Sequence, residues 1–132
     1  MSYRLFLDDI RNPADVKWIQ LPLAPWVIVR KYEDCVKVIE QRGLPEFITF
    51  DHDLADVHYE IFAKFLKGAA SYDELYANCK EKTGYHCAKW LVDYCLDNDK
   101  KLPTFVVHSM NSVGSQNITS LLNNFKKFQA TQ

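Results

Sequence analysis

Apolar positions along this chain fall into two periodicities. Four short runs, residues 3–7, 26–29, 47–50 and 105–107, are nearly continuous in aliphatic, aromatic or β-branched residues. A strand covered on both faces reads in this way. Between them the apolar residues recur at helical spacing. Residues 32–42 set Val36 and Ile39 on one face and stop at Gly43. Residues 85–97 set Ala88, Leu91, Val92 and Cys95 on one face. A last helix is predicted over 117–128, after a polar loop that contains Gly114. Residues 12–25 carry three prolines and one short helical stretch at 14–19. The irregular part is 55–83, where two short helices are predicted at 58–67 and 72–80, broken at Gly68. Ser71 and Glu74 have the spacing of a capping box for the second.

Strands alternating with helices predict parallel βαβ units with right-handed crossovers. The reading is a single α/β domain over residues 1–132, with strand order 2-1-3-4 and strands 1 and 3 at the centre. Crossovers leaving those two strands in opposite directions put a switch point between Asp8-Asp9 and Asp51, where open sheets bind ligands. Three strands also end in ionisable residues. Leu5-Phe6-Leu7 runs into Asp8-Asp9, Phe47-Ile48-Thr49-Phe50 into Asp51-His52-Asp53, and Phe105-Val106-Val107 into His108-Ser109-Met110-Asn111. In a parallel sheet those ends share one edge, so fold rule and chemistry coincide.

The adjacent like charges of Asp8 and Asp9 call for a cation between them, with a solvated turn as the plainer alternative. Mg²⁺ or Mn²⁺ suits such oxygen ligands. Asp51 is expected as a metal ligand or nucleophile, and Asp53 as a second ligand or a group orienting a histidine. His108 and His52 are candidates for acid–base work near neutral pH; His58 and His86 read as structural or surface. In extended backbone His52 points away from Asp51 and Asp53 unless a turn begins there. Arg11 and Arg30 follow strands 1 and 2 and are suited to gripping phosphate oxygens or pairing with the acids. Asn111, Ser112 and the backbone near Gly114 lead into a helix start, where anions bind. Tyr85 is a candidate for stacking on a base.

Composition narrows the partners. With 48% hydrophobic and 25% charged residues, the 132-residue chain suits one soluble domain. A net charge of -1 removes any general pull toward duplex nucleic acid or anionic membrane, so a polyanion must be captured locally. The four cysteines, Cys35, Cys79, Cys87 and Cys95, form no C-x-x-C pair, and the charged start at Arg4 reads as no signal peptide. They read as reduced, buried thiols of a cytoplasmic protein. No apolar run approaches membrane-spanning length.

Asp8-Asp9 and Asp51 resemble the acidic pocket of response-regulator receiver domains, in which paired acids hold Mg²⁺ and the strand-3 acid accepts a phosphoryl group. Ser109 stands where receivers carry Ser or Thr. The chain departs from them after strand 4: no fifth strand follows, and no candidate for the receivers' strand-5 lysine. It more closely resembles cyclic-phosphate-processing receiver-like domains, which are associated with RNA processing and repair. The resemblance rests on five separated motifs: Leu5-Phe6-Leu7-Asp8-Asp9-Ile10-Arg11, Arg30, Phe50-Asp51-His52-Asp53-Leu54, Thr83-Gly84-Tyr85, and His108-Ser109-Met110-Asn111-Ser112-Val113-Gly114. It leaves out residues 57–82, which read as a helical insertion in a receiver-like, flavodoxin-like three-layer sandwich.

The expected function is therefore metal-assisted hydrolysis of cyclic phosphate esters on nucleotides or RNA ends, 2′,3′-cyclic phosphates foremost and cyclic nucleotide signals next. Asp8, Asp9 and Asp51 (with Asp53) would hold the cation, and Arg11 and Arg30 would neutralise phosphate. His108 or His52 would protonate the leaving oxygen, Ser109 and Asn111 would bind a non-bridging oxygen, and Tyr85 and Gly114 would contact the substrate. Two variants remain: attack on phosphorus by Asp51 itself, or a metal-free pair of His52 and His108. The alternative of a different class is a non-catalytic module that docks a partner or sequesters a nucleotide. The aromatic insertion offers a surface for a homodimer.

Overall fold

Four parallel strands, β1 (Arg4–Leu7), β2 (Trp26–Val29), β3 (Phe47–Phe50) and β4 (Thr104–Val107), form one sheet in the order β2-β1-β3-β4. The computed structural model describes residues 2–23, 25–68, 70–77 and 79–131. Register is what makes the sheet useful. Leu7 lies level with Val29 and Phe50, and Phe50 with Val107. The ladder then continues one residue further, through Asp8 N–H to Val29 O at 3.1 Å, Asp51 N–H to Leu7 O at 2.9 Å and His108 N–H to Phe50 O at 3.0 Å. The polar residues that follow the strands thus start from one line.

Alternation along the strands divides the apolar residues between two faces. Leu5, Leu7, Ile48 and Phe50, all fully buried, meet α1 (Tyr32–Arg42), the helix Gly84–Asn98 and the helix Ser112–Ala130 through Ile39, Leu91, Ile118 and Leu122. On the other face lie Phe6 and Thr49, with Trp26 edge-on to both Phe6 and Phe47 at 6.0 and 5.9 Å. The segment between β1 and β2 forms the layer there: a 3-10 turn at Pro13–Asp15, then Val16, buried, and Trp18, whose indole N–H donates to His108 O at 2.9 Å. The short helix expected at 14–19 is this turn. The Asp15 carboxylate accepts the Asn12 N–H at 2.8 Å and closes it after one turn.

Two helices sit in the irregular segment, α2 (Asp56–Leu66) and α3 (Tyr72–Ala77). Ser71 Oγ accepts the Glu74 N–H at 3.2 Å, as the capping pattern predicts. The helix expected over 72–80 ends earlier, and its residue 78 lies outside the described residues. The Gly84–Asn98 helix is α4 and Ser112–Ala130 is α5.

The largest departure from expectation is that α5 starts at Ser112, not 117. Asn111 caps it, its side-chain oxygen accepting the Gly114 N–H at 2.9 Å, so the glycine that reads as loop chemistry lies in the first helical turn. A Cβ on Gly114 would stand 2.4 Å from the His52 ring, and one on Gly84 would stand 1.8 Å from Asp51 O. Both helix starts are therefore pressed onto the Asp51-His52 segment. Cys35, Cys87 and Cys95 are buried and Cys79, near the end of α3, is half-buried; all four are free thiols. Among the described residues no helix is long and apolar enough to cross a membrane.

Since the Asp51 carbonyl is backbone and has nowhere to go, Gly84→Ala is expected to cost about 3 kcal/mol, at the upper end of ordinary overpacking. Urea unfolding of the variant checks this.

Candidate active site

At the carboxyl edge of the central strands, Asp8, Asp9 and Asp51 each offer a carboxylate oxygen within 4.8 Å of the other two. Asp8 and Asp51 are buried, and their environments differ sharply. Asp8 Oδ1 accepts the N–H groups of Ile10 and Arg11 at 3.0 and 2.8 Å, and Oδ2 accepts from His108 Nε2 at 2.9 Å. Burial alone would raise its pKa. The hydrogen bonds from His108, Arg11 and Ile10 outweigh that and hold it below the ordinary carboxylate value. Asp51 Oδ1 accepts the His52 N–H at 2.8 Å, whereas Oδ2 is buried with no partner among the described residues. Burial, then the charge of Asp8, pushes the Asp51 pKa up to about 7; Asp53 and Asp9 add to this and the Ser109 hydroxyl opposes it. Asp9 is raised by burial and by Asp8, against the Tyr59 hydroxyl that donates to it at 2.7 Å.

An orphaned buried carboxylate oxygen beside two more carboxylates is a donor set that would suit a hard divalent cation. Mg²⁺ or Mn²⁺ fits it. The only cationic side chain paired with the cluster among the described residues is Arg11, 3.7 Å from Asp8 and over the Trp18 ring.

Several candidates from sequence are engaged in other ways. His108 is 1% exposed, stacked on Phe6 at 4.7 Å, with Nδ1 on Thr49 Oγ1 at 2.8 Å and Nε2 on Asp8. A carboxylate only accepts, so Nε2 carries the proton and both nitrogens are committed. The expected general acid is instead a brace for Asp8. Arg30 does not reach the acids: it donates to the carbonyls of Asp8 and Arg11 and to Asn12 Oδ1, fastening the loop after β1. Gly114 spends its N–H on Asn111 and its bare Cα on His52. Ser109 lies beside Asp51, and its hydroxyl accepts the Asn111 N–H at 3.1 Å.

Asp53 lies outside the three-carboxylate cluster and belongs to a second one. The chain turns after Asp51, so His52 does not point away: its Nδ1 meets Asp53 Oδ1 at 2.9 Å, which places the proton on Nδ1. Nε2 is then an acceptor and takes the Tyr72 hydroxyl at 3.1 Å. Asn111, oriented by its cap bond, turns its amide N–H to Tyr72 Oη at 3.1 Å and to Asp53 at 3.3 Å. Tyr76 donates to Asp53 Oδ1 at 2.8 Å. Asp53, His52, Tyr72 and Asn111 make a closed ring of hydrogen bonds. Burial raises the pKa of Tyr72 and of Tyr76 and keeps both phenols protonated donors.

Tyr59, Tyr72 and Tyr76 are what sequence reading missed. Their segment reads as an interaction surface, yet three phenols turn inward onto Asp9, His52 and Asp53. The available signal was the four-residue spacing of Tyr72 and Tyr76, one face of a short helix. His58 is structural as expected, with Nδ1 accepting the Leu54 N–H at 2.8 Å and Nε2 donating to Glu81 O at 2.8 Å. Half-buried Tyr85 lines a cleft beside His52.

A family model described as the cyclic-phosphate processing receiver domain matches residues 3–124. The chain belongs to that family. No curated protein and no solved structure gives a significant match. In this receiver domain the parallel sheet has four strands in the order 2-1-3-4, so β4 is an edge.

The raised Asp51 pKa has a sign. The folded state holds the proton more tightly than the unfolded chain, so stability from this group is complete below about pH 4 and is lost as pH rises to about 7. A shift of that size corresponds to at most about 4 kcal/mol. Without divalent cation at pH 8, Asp51→Asn is expected to be more stable than wild type. Saturating Mg²⁺ or Mn²⁺ should reverse the order. Thermal unfolding in EDTA and in each metal measures both.

Proposed function

We propose that this receiver domain hydrolyses cyclic phosphate esters of nucleotides or RNA ends, 2′,3′-cyclic phosphates foremost. The observation that carries the reading is the convergence of Asp8, Asp9 and Asp51 around an Asp51 oxygen that has no partner among the described residues, at the sheet edge of a cyclic-phosphate processing domain. Asp8, Asp9 and Asp51 would hold a divalent cation. When bound, the cation supplies positive charge that polarises the phosphoryl group.

The chain's own groups supply the remainder. Arg11 balances phosphate charge beside Asp8, and Ser109, next to Asp51, donates to a non-bridging oxygen. Water adds across one ester bond: its oxygen bonds to phosphorus while the bond from phosphorus to a ribose oxygen breaks. His52, held by Asp53, accepts the proton of the attacking water at Nε2 through the Tyr72 hydroxyl and returns it to the departing ribose oxygen. His108 positions Asp8, and Asp53 positions His52. A metal-free pair of His52 and His108 is disfavoured, because the His108 Nε2 proton is held by the buried Asp8 carboxylate, whereas the partner of His52 Nε2 is a phenol that can relay a proton.

Incubation with Mg²⁺ or Mn²⁺ of 2′,3′-cyclic mononucleotides, a cyclic-phosphate-ended RNA, 3′,5′-cyclic nucleotides and cyclic dinucleotides tests this by mass spectrometry. One substrate class is expected to gain one water, with Asp51→Asn folded and inactive. Tight binding without turnover on any member would replace hydrolysis by sequestration.

A second prediction separates the histidines. His52→Gln is expected to lower kcat about a hundredfold. His108→Gln is expected to weaken cation binding, read by calorimetry.

A further inference from the structure

Beside the carboxylate cluster, with His52 between them, lies a cleft of about 540 Å³. Its walls come from α3, the start of α4 and one face of α5. That volume suits a small organic ligand. The chemistry of the lining says which kind. Among the described residues its lining has no lysine and no arginine and one carboxylate, Asp73, so it lacks the cationic groups that grip a phosphate. It presents instead the half-buried ring of Tyr85, the imidazoles of His52 and His86, and the amides of Asn117 and Asn124.

The polar groups point to an uncharged, flat ligand with both donors and acceptors on its rim. His86 Nδ1 accepts the Thr83 N–H at 2.9 Å, which leaves its Nε2–H to donate. Burial, followed by Lys82 and Lys89, lowers the His86 pKa and favours the uncharged ring. Asn117 and Asn124 lie two turns apart on α5 and share a face. An amide both donates and accepts, matching a base edge, and a phenol ring matches any base face.

The cleft also begins where the acidic site ends. His52 contributes its backbone N–H to Asp51 and its ring to the cleft wall. A nucleotide with its base in the cleft would thus have its ribose phosphate directed toward Asp8, Asp9 and Asp51, past the Asp53–His52–Tyr72 ring.

We infer that this cleft receives the nucleobase of the substrate, with Tyr85 as the stacking surface and Asn117 and Asn124 reading the base edge. The inference rests on the nucleotide reading of the acidic site and deepens it. The base enters either as a free cyclic nucleotide or as the last residue of an RNA.

Two measurements test it. In the first, adenosine, guanosine, cytidine and uridine, which carry no phosphate, are titrated into the ¹⁵N-labelled protein. Amide shifts at the starts of α4 and α5 are expected with at least one of them, and are expected to vanish in the Asn117→Ala/Asn124→Ala variant. In the second, KM is compared for a 2′,3′-cyclic mononucleotide, a trinucleotide ending in the same cyclic phosphate, and a base-free cyclic glycerol phosphate. The base is expected to lower KM about tenfold, the order of one stacking contact. Tyr85→Ala and the double variant are expected to abolish that advantage.

Nucleoside shifts in the cleft without turnover of any cyclic phosphate would support the base site while the hydrolytic reading fails. Turnover of the base-free ester at the same KM as the nucleotide, with no nucleoside shifts, would overturn the base site while hydrolysis stands. A lower KM for the trinucleotide than for the mononucleotide would support the base site with an RNA end as the source; the reverse order would support it with the free nucleotide as the source.

Discussion

Two carboxylates buried side by side repel each other, and the sheet register forces that meeting. Asp8 and Asp51 leave adjacent central strands at the same level, so their proximity follows from Leu7 pairing with Phe50. The chain resolves half of the conflict. It gives Asp8 two backbone N–H groups and the His108 imidazole, which fixes it as a charged group. It gives Asp51 a single backbone N–H and, among the described residues, no partner for the second oxygen. The remaining conflict is removed either by a proton, hence the raised Asp51 pKa, or by a cation. Much else nearby supports this imbalance: Phe6 and Thr49 hold His108, Trp18 closes over it, and Arg30 pins the loop that supplies the N–H groups to Asp8.

A second polar ring stands against the first cluster without mixing with it. Asp51 and His52 are neighbours in sequence yet serve different assemblies, because the chain turns between them and two glycines let α4 and α5 close in on that turn. Packing and chemistry are thereby joined. Side chains at Gly84 or Gly114 would move the same two residues that the site needs.

Strand order, the parallel register and the meeting of Asp8, Asp9 and Asp51 were legible in the sequence, since apolar runs ending in acids carry both fold and chemistry. The roles of the histidines were not. His108 and His52 both follow strands, and only the tertiary partners separate them: Thr49 and Asp8 occupy one ring, while Asp53 orients the other so that its Nε2 accepts the Tyr72 hydroxyl. Arg30 likewise lies at the expected edge, but backbone carbonyls satisfy it first. The start of α5 was obscured because Gly114 is read locally as a turn residue. Its reason is a contact with His52, 62 positions earlier in the chain. The inward turn of Tyr59, Tyr72 and Tyr76 depends on how α2 and α3 return to the sheet edge, which no local pattern encodes.

The central claim is that the three converging carboxylates are a cation site held open at Asp51. Diffraction at the manganese edge from crystals of the protein grown with Mn²⁺ tests it most directly. An anomalous peak among the Asp8, Asp9 and Asp51 carboxylates, absent in Asp51→Asn, is the predicted result. A site without a peak at saturating Mn²⁺, with the Asp51 oxygen hydrogen-bonded to a neighbouring carboxylate, would contradict it.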